Sequence, residues 1–173
     1  DGENLKDKEN TNFQSKWQAV IGHVPQSIYL TDRSIAENIA FNQKKEKIDI
    51  DAVKLAAQQA EIYEFIESMP NKYASVIGER GIQLSGGQCQ RIGIARALYK
   101  GASVLIFDEA TSALDDVTEK KLIDTLNNLS NYITVIMIAH RLTTIQNCDK
   151  LIKLSNGKIQ AIGKPSEVLK FRN

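Results

Sequence analysis

The sequence predicts an α/β fold, a mostly parallel sheet with an inserted helical subdomain. Two short, bare apolar runs, "SVLIFDEA" and "ITVIMIAH", flank an amphipathic stretch, "DVTEKKLIDTLNNLS". Runs of that length without polar alternation, separated by helices, are the pattern of parallel strands covered on both faces. Residues 30–101 carry helical periodicity and no strand-like run, so they read as an insertion into a core built from 1–29 and 102–173. The 173 residues suit one domain able to bury a sizeable core.

The elements follow in order. Residues 1–16 are polar and read as a loop. Gln18–Val24 is a β-rich run stopped by Pro25. In "TDRSIAENIAF", Thr31 or Ser34 can cap a helix with Ile35, Ile39 and Phe41 on one face. "DIDAVKLAAQQAEIYEFIESM" predicts one long helix: Val53, Ala56, Ala57, Ala60, Tyr63 and Ile66 recur at three- and four-residue steps, acids lead it, and Pro70 ends it. After a glycine-punctuated loop, "GQCQRIGIARALYKG" predicts a helix closed by Gly101. "KLIKLSNGKIQAIG" predicts a hairpin around Asn156-Gly157, and "PSEVLK" a last short helix with Pro165 in its first turn.

Composition excludes several classes. Lys plus Arg total 22 against 21 Asp plus Glu, so no global field favours nucleic acid or anionic lipid. Cys89 and Cys148 stand far apart, which fits a reducing compartment and not a disulfide scaffold. The longest apolar run, Ile133–Ala139, is too short to span a bilayer, and the polar N-terminus is no signal peptide.

Three stretches carry chemistry. In "VLIFDEATSALD" a buried strand delivers Asp108 and Glu109 to the C-terminal edge of a sheet, where open α/β folds bind ligands. Adjacent carboxylates repel unless they share a cation or proton, which suits Asp108 holding Mg²⁺ and Glu109 polarising a water. A strand ending in two solvated acids is the plainer alternative. "ITVIMIAHR" delivers His140 to the same edge, either as a strand cap satisfied by backbone or as a donor to developing phosphate charge. "LSGGQ" (Leu84–Gln88) opens a helix, so it reads equally as a Ser85 N-cap or as an anion site where Gly86 and Gly87 admit close approach.

The ordered set resembles the ATP-binding-cassette (ABC) ATPase family. "VPQ" with Gln26 is similar to its Q-loop, "LSGGQ" to its signature, Val104–Glu109 to Walker B with the catalytic glutamate, Ser112–Asp115 to the D-loop, and His140 to the switch histidine. The resemblance implies a P-loop NTPase-like core and ATP hydrolysis with Mg²⁺. Asp108 and Gln26 would attend the metal, while Glu109, His140 and Gln26 would act in hydrolysis. Ser85, Gly86, Gly87 and Gln88 would contact ATP held by a second copy in a head-to-tail dimer, with Asp115 at that interface. "SVIGERG" (Ser75–Gly81) resembles the X-loop of exporters, which implies that Glu79, Arg80 and Gln26 couple to a transmembrane domain. The resemblance thus implies an exporter motor on the cytoplasmic face of the cell membrane, with no nucleic-acid partner. The abundance of Lys, Ile and Asn points by composition to an AT-rich bacterial genome, so the membrane expected with the resemblance is a bacterial inner membrane.

Departures from the family pattern qualify this. The phosphate loop G-x-x-x-x-G-K-[ST] is absent, and Gly157-Lys158 and Gly163-Lys164 lack its other residues. The expectation is that Walker A lies before residue 1, that these residues alone bind ATP weakly without hydrolysing it, and that some sheet surface stands open. Cys89 replaces the usual Arg or Lys after the signature, and Trp17 reads as a packed core residue. A soluble ABC ATPase of the DNA-repair, chromosome or translation type is the alternative, against which the X-loop, the near-neutral charge and the lack of long heptads speak. A non-catalytic interaction module is a further one, against which Asp108, Glu109 and His140 speak.

Overall fold

The computed structural model describes residues 17–78, 81–108, 115–139, 141–146 and 148–169. The chain forms two compact units, Asp1–Met137 and Ile138–Asn173. The larger is built on a sheet in the order β1 (Ile21–Val24), β4 (Val104–Asp108), β5 (Thr134–Ile138). β1 and β4 run parallel, with Ile21 opposite Val104 and Val24 opposite Phe107. A parallel pair needs a crossover, and here the helical segment supplies it. β1 starts later than composition indicates: residues 17–20 are helical, because pairing begins only where Val104 offers a partner. Trp17 is 42% exposed and is not a core residue.

Between these strands lie β2 (Arg33–Ser34), α1 (Ile35–Ile39), α2 (Ile50–Gln59), α3 (Tyr63–Glu67), β3 (Val76–Ile77) and α4 (Gly86–Tyr99). Ser34 caps α1 in a reciprocal box: Glu37 N donates to Ser34 Oγ, and Ser34 N donates to Glu37 Oε2 at 3.1 Å. Ile35 and Ile39 are buried, but Phe41 lies beyond the helix and is exposed. β2 and β3 form a small antiparallel ribbon, so the segment is not wholly helical. Two-residue strands leave no period to read.

The long helix expected from 49 to 69 is two helices. Asp49 caps α2, accepting from Asp51 N and Ala52 N. At the other end Glu61 adopts a left-handed φ of 52°. Ile62 N donates to Ala57 O, and Glu61 N donates to Gln58 O. That is a Schellman motif with glutamate where glycine is usual. It re-aims the chain so that Ile62 and Ile66 join Val53, Ala56, Ala57, Ile92 and Ala95 in the core. α4 packs on β1 and α2 and is apolar around most of its circumference, as a helix buried on several sides must be.

α5 (Asp116–Ser130) follows β4 and buries Leu122, Ile123, Leu126 and Leu129. Along β4 only Leu105 and Phe107 are fully buried, and Ile136 on β5 is 49% exposed. Among the described residues the sheet is therefore covered on one face, not both.

The smaller unit holds α6 (Leu142–Ile145), the hairpin β6 (Leu151–Ser155) and β7 (Lys158–Gly163), and α7 (Pro165–Val168). Asn156 and Gly157 both have positive φ, 48° and 71°, as a two-residue hairpin turn demands. Among the described residues no helix is long and apolar enough to cross a membrane.

Candidate functional site

The parallel pairing of β1 and β4 brings two predicted residues to one edge. Val24 and Phe107 are register partners. Gln26 and Asp108 therefore leave neighbouring strands at their shared C-terminal edge, where open α/β sheets bind ligands. Both are exposed. No cluster of three or more His, Cys, Asp or Glu side chains able to hold a metal exists among the described residues. An exposed carboxylate still suits Mg²⁺, which keeps several waters and shares its shell with substrate phosphates.

The signature turn is built as a cap. Ser85 Oγ accepts from Gln88 N at 3.3 Å, and Gln88 Oε1 accepts from Ser85 N at 2.8 Å. Gly86 and Gly87 are the first residues of α4, so their N–H groups have no acceptor within the helix. The two glycines differ, since Gly86 is exposed and Gly87 buried. A Cβ on Gly87 would lie 2.3 Å from Thr118 Cγ2 on α5. One close approach that needs a glycine at 87 is thus to α5. Beside the turn, burial pushes the Cys89 thiol up, which keeps it neutral.

Asp115 caps α5. Its Oδ1 accepts from Val117 N at 3.1 Å and Thr118 N at 3.0 Å, and its Oδ2 accepts from Thr118 Oγ1 at 2.7 Å. The Thr118 hydroxyl, then its amide, hold the Asp115 carboxyl below its ordinary value. Thr118 therefore joins two predicted motifs, its hydroxyl on Asp115 and its methyl against Gly87.

Three side chains of α4 that sequence reasoning missed tie the site together. Gln90, 4% exposed, donates from Nε2 to the carbonyl of Gln26 at 2.8 Å. Arg96 donates from Nε to Asn38 O at 2.9 Å and from Nη2 to Tyr29 O at 3.1 Å, and its guanidinium lies 4.5 Å from the Phe41 ring centroid. Arg91 donates from Nη1 to the carbonyl of Glu61. Polar residues on an otherwise apolar helix were the available signal. Of the other predicted site residues, Glu109, His140, Glu79 and Arg80 lie outside the described residues, as do residues 1–16 and most of the D-loop.

The class of protein is set by these features: a P-loop NTPase-like α/β core with a helical insertion, whose signature helix is wired to the Q-loop. The family model described as ABC transporter matches residues 1–112. The chain belongs to the ABC transporter family, as a nucleotide-binding domain of exporter type. It is 44% identical over 172 residues to ABC transporter B family member 6 of Dictyostelium discoideum, covering 98% of this chain and 24% of that protein. It is 46% identical over 149 residues to the ATP-dependent lipid A-core flippase of Saccharophagus degradans, covering 86% of this chain and 25% of that protein. A solved structure of a bacterial Atm1-family ABC exporter with ATP bound superposes with a TM-score of 0.78 at 38% identity, covering 92% of this chain and 28% of that one. The chain spans about a quarter of the length of these curated relatives.

Proposed function

We propose that this chain belongs to the ATP-hydrolysing motor of an exporter, which in the full-length protein works as a head-to-tail pair on the cytoplasmic face of a membrane. ATP closes the pair, hydrolysis reopens it, and the motion passes to a transmembrane domain. The observation that supports this is the parallel register of β1 and β4, Val24 opposite Phe107, which ends both strands at one edge, just before Gln26 and at Asp108. In this reading Asp108 and Gln26 hold Mg²⁺, which when bound neutralises phosphate charge. Glu109 orients and deprotonates the attacking water, and His140 donates to the γ-phosphate. Ser85, Gly86, Gly87 and Gln88 meet the phosphates of ATP held by the second copy, through the N–H groups at the start of α4. Asp115 lies at the interface, and Gln26, Glu79 and Arg80 face the membrane part. The exporter names of the relatives support this over a soluble ABC ATPase.

Glu109→Gln in the full-length protein tests the reading. Neutralising the base is expected to keep ATP binding, accumulate the closed pair and abolish turnover. Turnover near the wild-type rate would remove Glu109 from that role.

A further inference from the structure

We infer that Glu61 is a positioning residue that locks the signature helix to the D-loop helix, so that both motifs are presented to the second copy as one surface. The inference rests on the proposed motor function and adds a residue to it.

The first observation is backbone conformation. Glu61 occupies the left-handed position of a Schellman motif, with φ 52°. Glycine or asparagine takes that position at little cost, whereas other L-residues are strained there. A glutamate in such a place needs a compensating use of its side chain.

The second observation is that use. Thr125 Oγ1 donates to Glu61 Oε2 at 2.9 Å and shares its proton with Lys121 O at the same distance. Thr125 is fully buried, so its hydroxyl requires an acceptor. Asn128 Nδ2 donates to Glu61 Oε1 at 3.3 Å. Arg91 donates to the Glu61 carbonyl, and its Nη1 lies 3.9 Å from Glu61 Oε2. One residue from the corner between α2 and α3 therefore grips α4 through Arg91 and α5 through Thr125 and Asn128.

The third observation is where the grip falls. Thr118 and Thr125 are seven residues apart, on one stripe of α5. Thr118 meets Gly87 of the signature, and Arg91 stands one turn beyond Gly87 on α4. α4 and α5 are thus joined at two points, Gly87 on Thr118 and Arg91–Glu61–Thr125. The second point fixes the angle between α4 and α5, which a single contact does not define. Asp115, which caps α5 and bonds Thr118, is carried in the same locked body.

The test uses the full-length protein and separates positioning from stability. Glu61→Gly removes the carboxylate and also relieves the left-handed backbone. It is expected to keep or raise the melting temperature and leave kcat at saturating Mg-ATP within about twofold, yet raise the KM for ATP by about fivefold or more. Thr125→Val is expected to raise KM likewise, and the double variant to do no worse than Glu61→Gly alone. Glu61→Gln, which keeps an acceptor for Thr125, is expected to restore most of the wild-type KM. Wild-type KM in Glu61→Gly, or a parallel fall of melting temperature and activity, would overturn the inference while leaving the motor function standing. A wild-type protein without Glu109-dependent turnover would overturn both.

Discussion

Gly87→Ala sets two physical effects against each other. Helix propensity alone favours alanine over glycine in a helix by about 1 kcal/mol. Against it stands Thr118, whose Cγ2 would lie 2.3 Å from the new Cβ, more than 1 Å inside ordinary contact. Thr118 cannot turn away freely, because its hydroxyl is bonded to Asp115 Oδ2 at 2.7 Å and its amide to Oδ1. Relief must come from α4 and α5 moving apart or from loss of the cap. Overpacking of this kind costs about 1–3 kcal/mol, which speeds local exchange roughly five- to 150-fold. The assay is native-state hydrogen exchange at Val117 and Thr118, whose amides are held by Asp115. Thr118→Ser deletes the clashing methyl and keeps the hydroxyl. In the double variant, exchange is expected to return to within about 0.5 kcal/mol of Thr118→Ser alone. A double variant as unprotected as Gly87→Ala would refute the packing argument. If exchange recovers while ATP turnover does not, Gly87 also serves phosphate approach across the pair.

Two further expectations concern pH. The Asp115 carboxyl is held below its ordinary value by Thr118, so the cap's stabilisation is complete above the ordinary aspartate range and is lost as pH falls through the depressed value. Exchange at Val117 should accelerate in acid beyond its intrinsic pH dependence, and Asp115→Asn should remove that excess. Tyr73 is pushed up to about 12, first by burial and then by Glu67 and Tyr63, and its buried hydroxyl has no partner among the described residues. A raised value means that its contribution is complete below about pH 10 and is lost as pH climbs to the folded value. Tyr73→Phe should flatten the alkaline fall in melting temperature and, by deleting an unpaired buried hydroxyl, cost no stability at neutral pH.

Much of the scaffold was legible because local signals agreed. β4 and α5 announce themselves by an apolar run and an amphipathic stretch, and Asn156-Gly157 is nearly sufficient for its hairpin. The signature turn was legible as a cap. The break at Glu61 was not, because glutamate is no usual left-handed residue. The trace it left is Ile62, buried although it falls outside the three- and four-residue steps that run from Val53 to Ile66. Nor could the reason for Gly87 be read, since it is Thr118, which lies far along the chain. Gln90 and Arg96 were missed for the same cause, as their partners Gln26, Tyr29 and Asn38 are brought near only by the crossover from β1 to β4. The sheet's open face matches the expectation that some sheet surface stands open, whereas the apolar runs record only what a strand can bury, not which segments cover it.

The wiring of α4 has a mechanical consequence. Its 14 residues make a rod of about 21 Å. The signature turn forms one end, and Arg96 grips the carbonyl of Tyr29 near the other, with Gln90 on the carbonyl of Gln26 in between. A tilt of roughly 5° about one end of such a rod displaces the other by nearly 2 Å, well beyond the few tenths of an ångström that a hydrogen bond can stretch. The strand of chain from Gln26 to Tyr29 must then travel with the rod. A small turn at the mouth of the signature is thereby geared into an ångström-scale stroke in the segment that leaves β1.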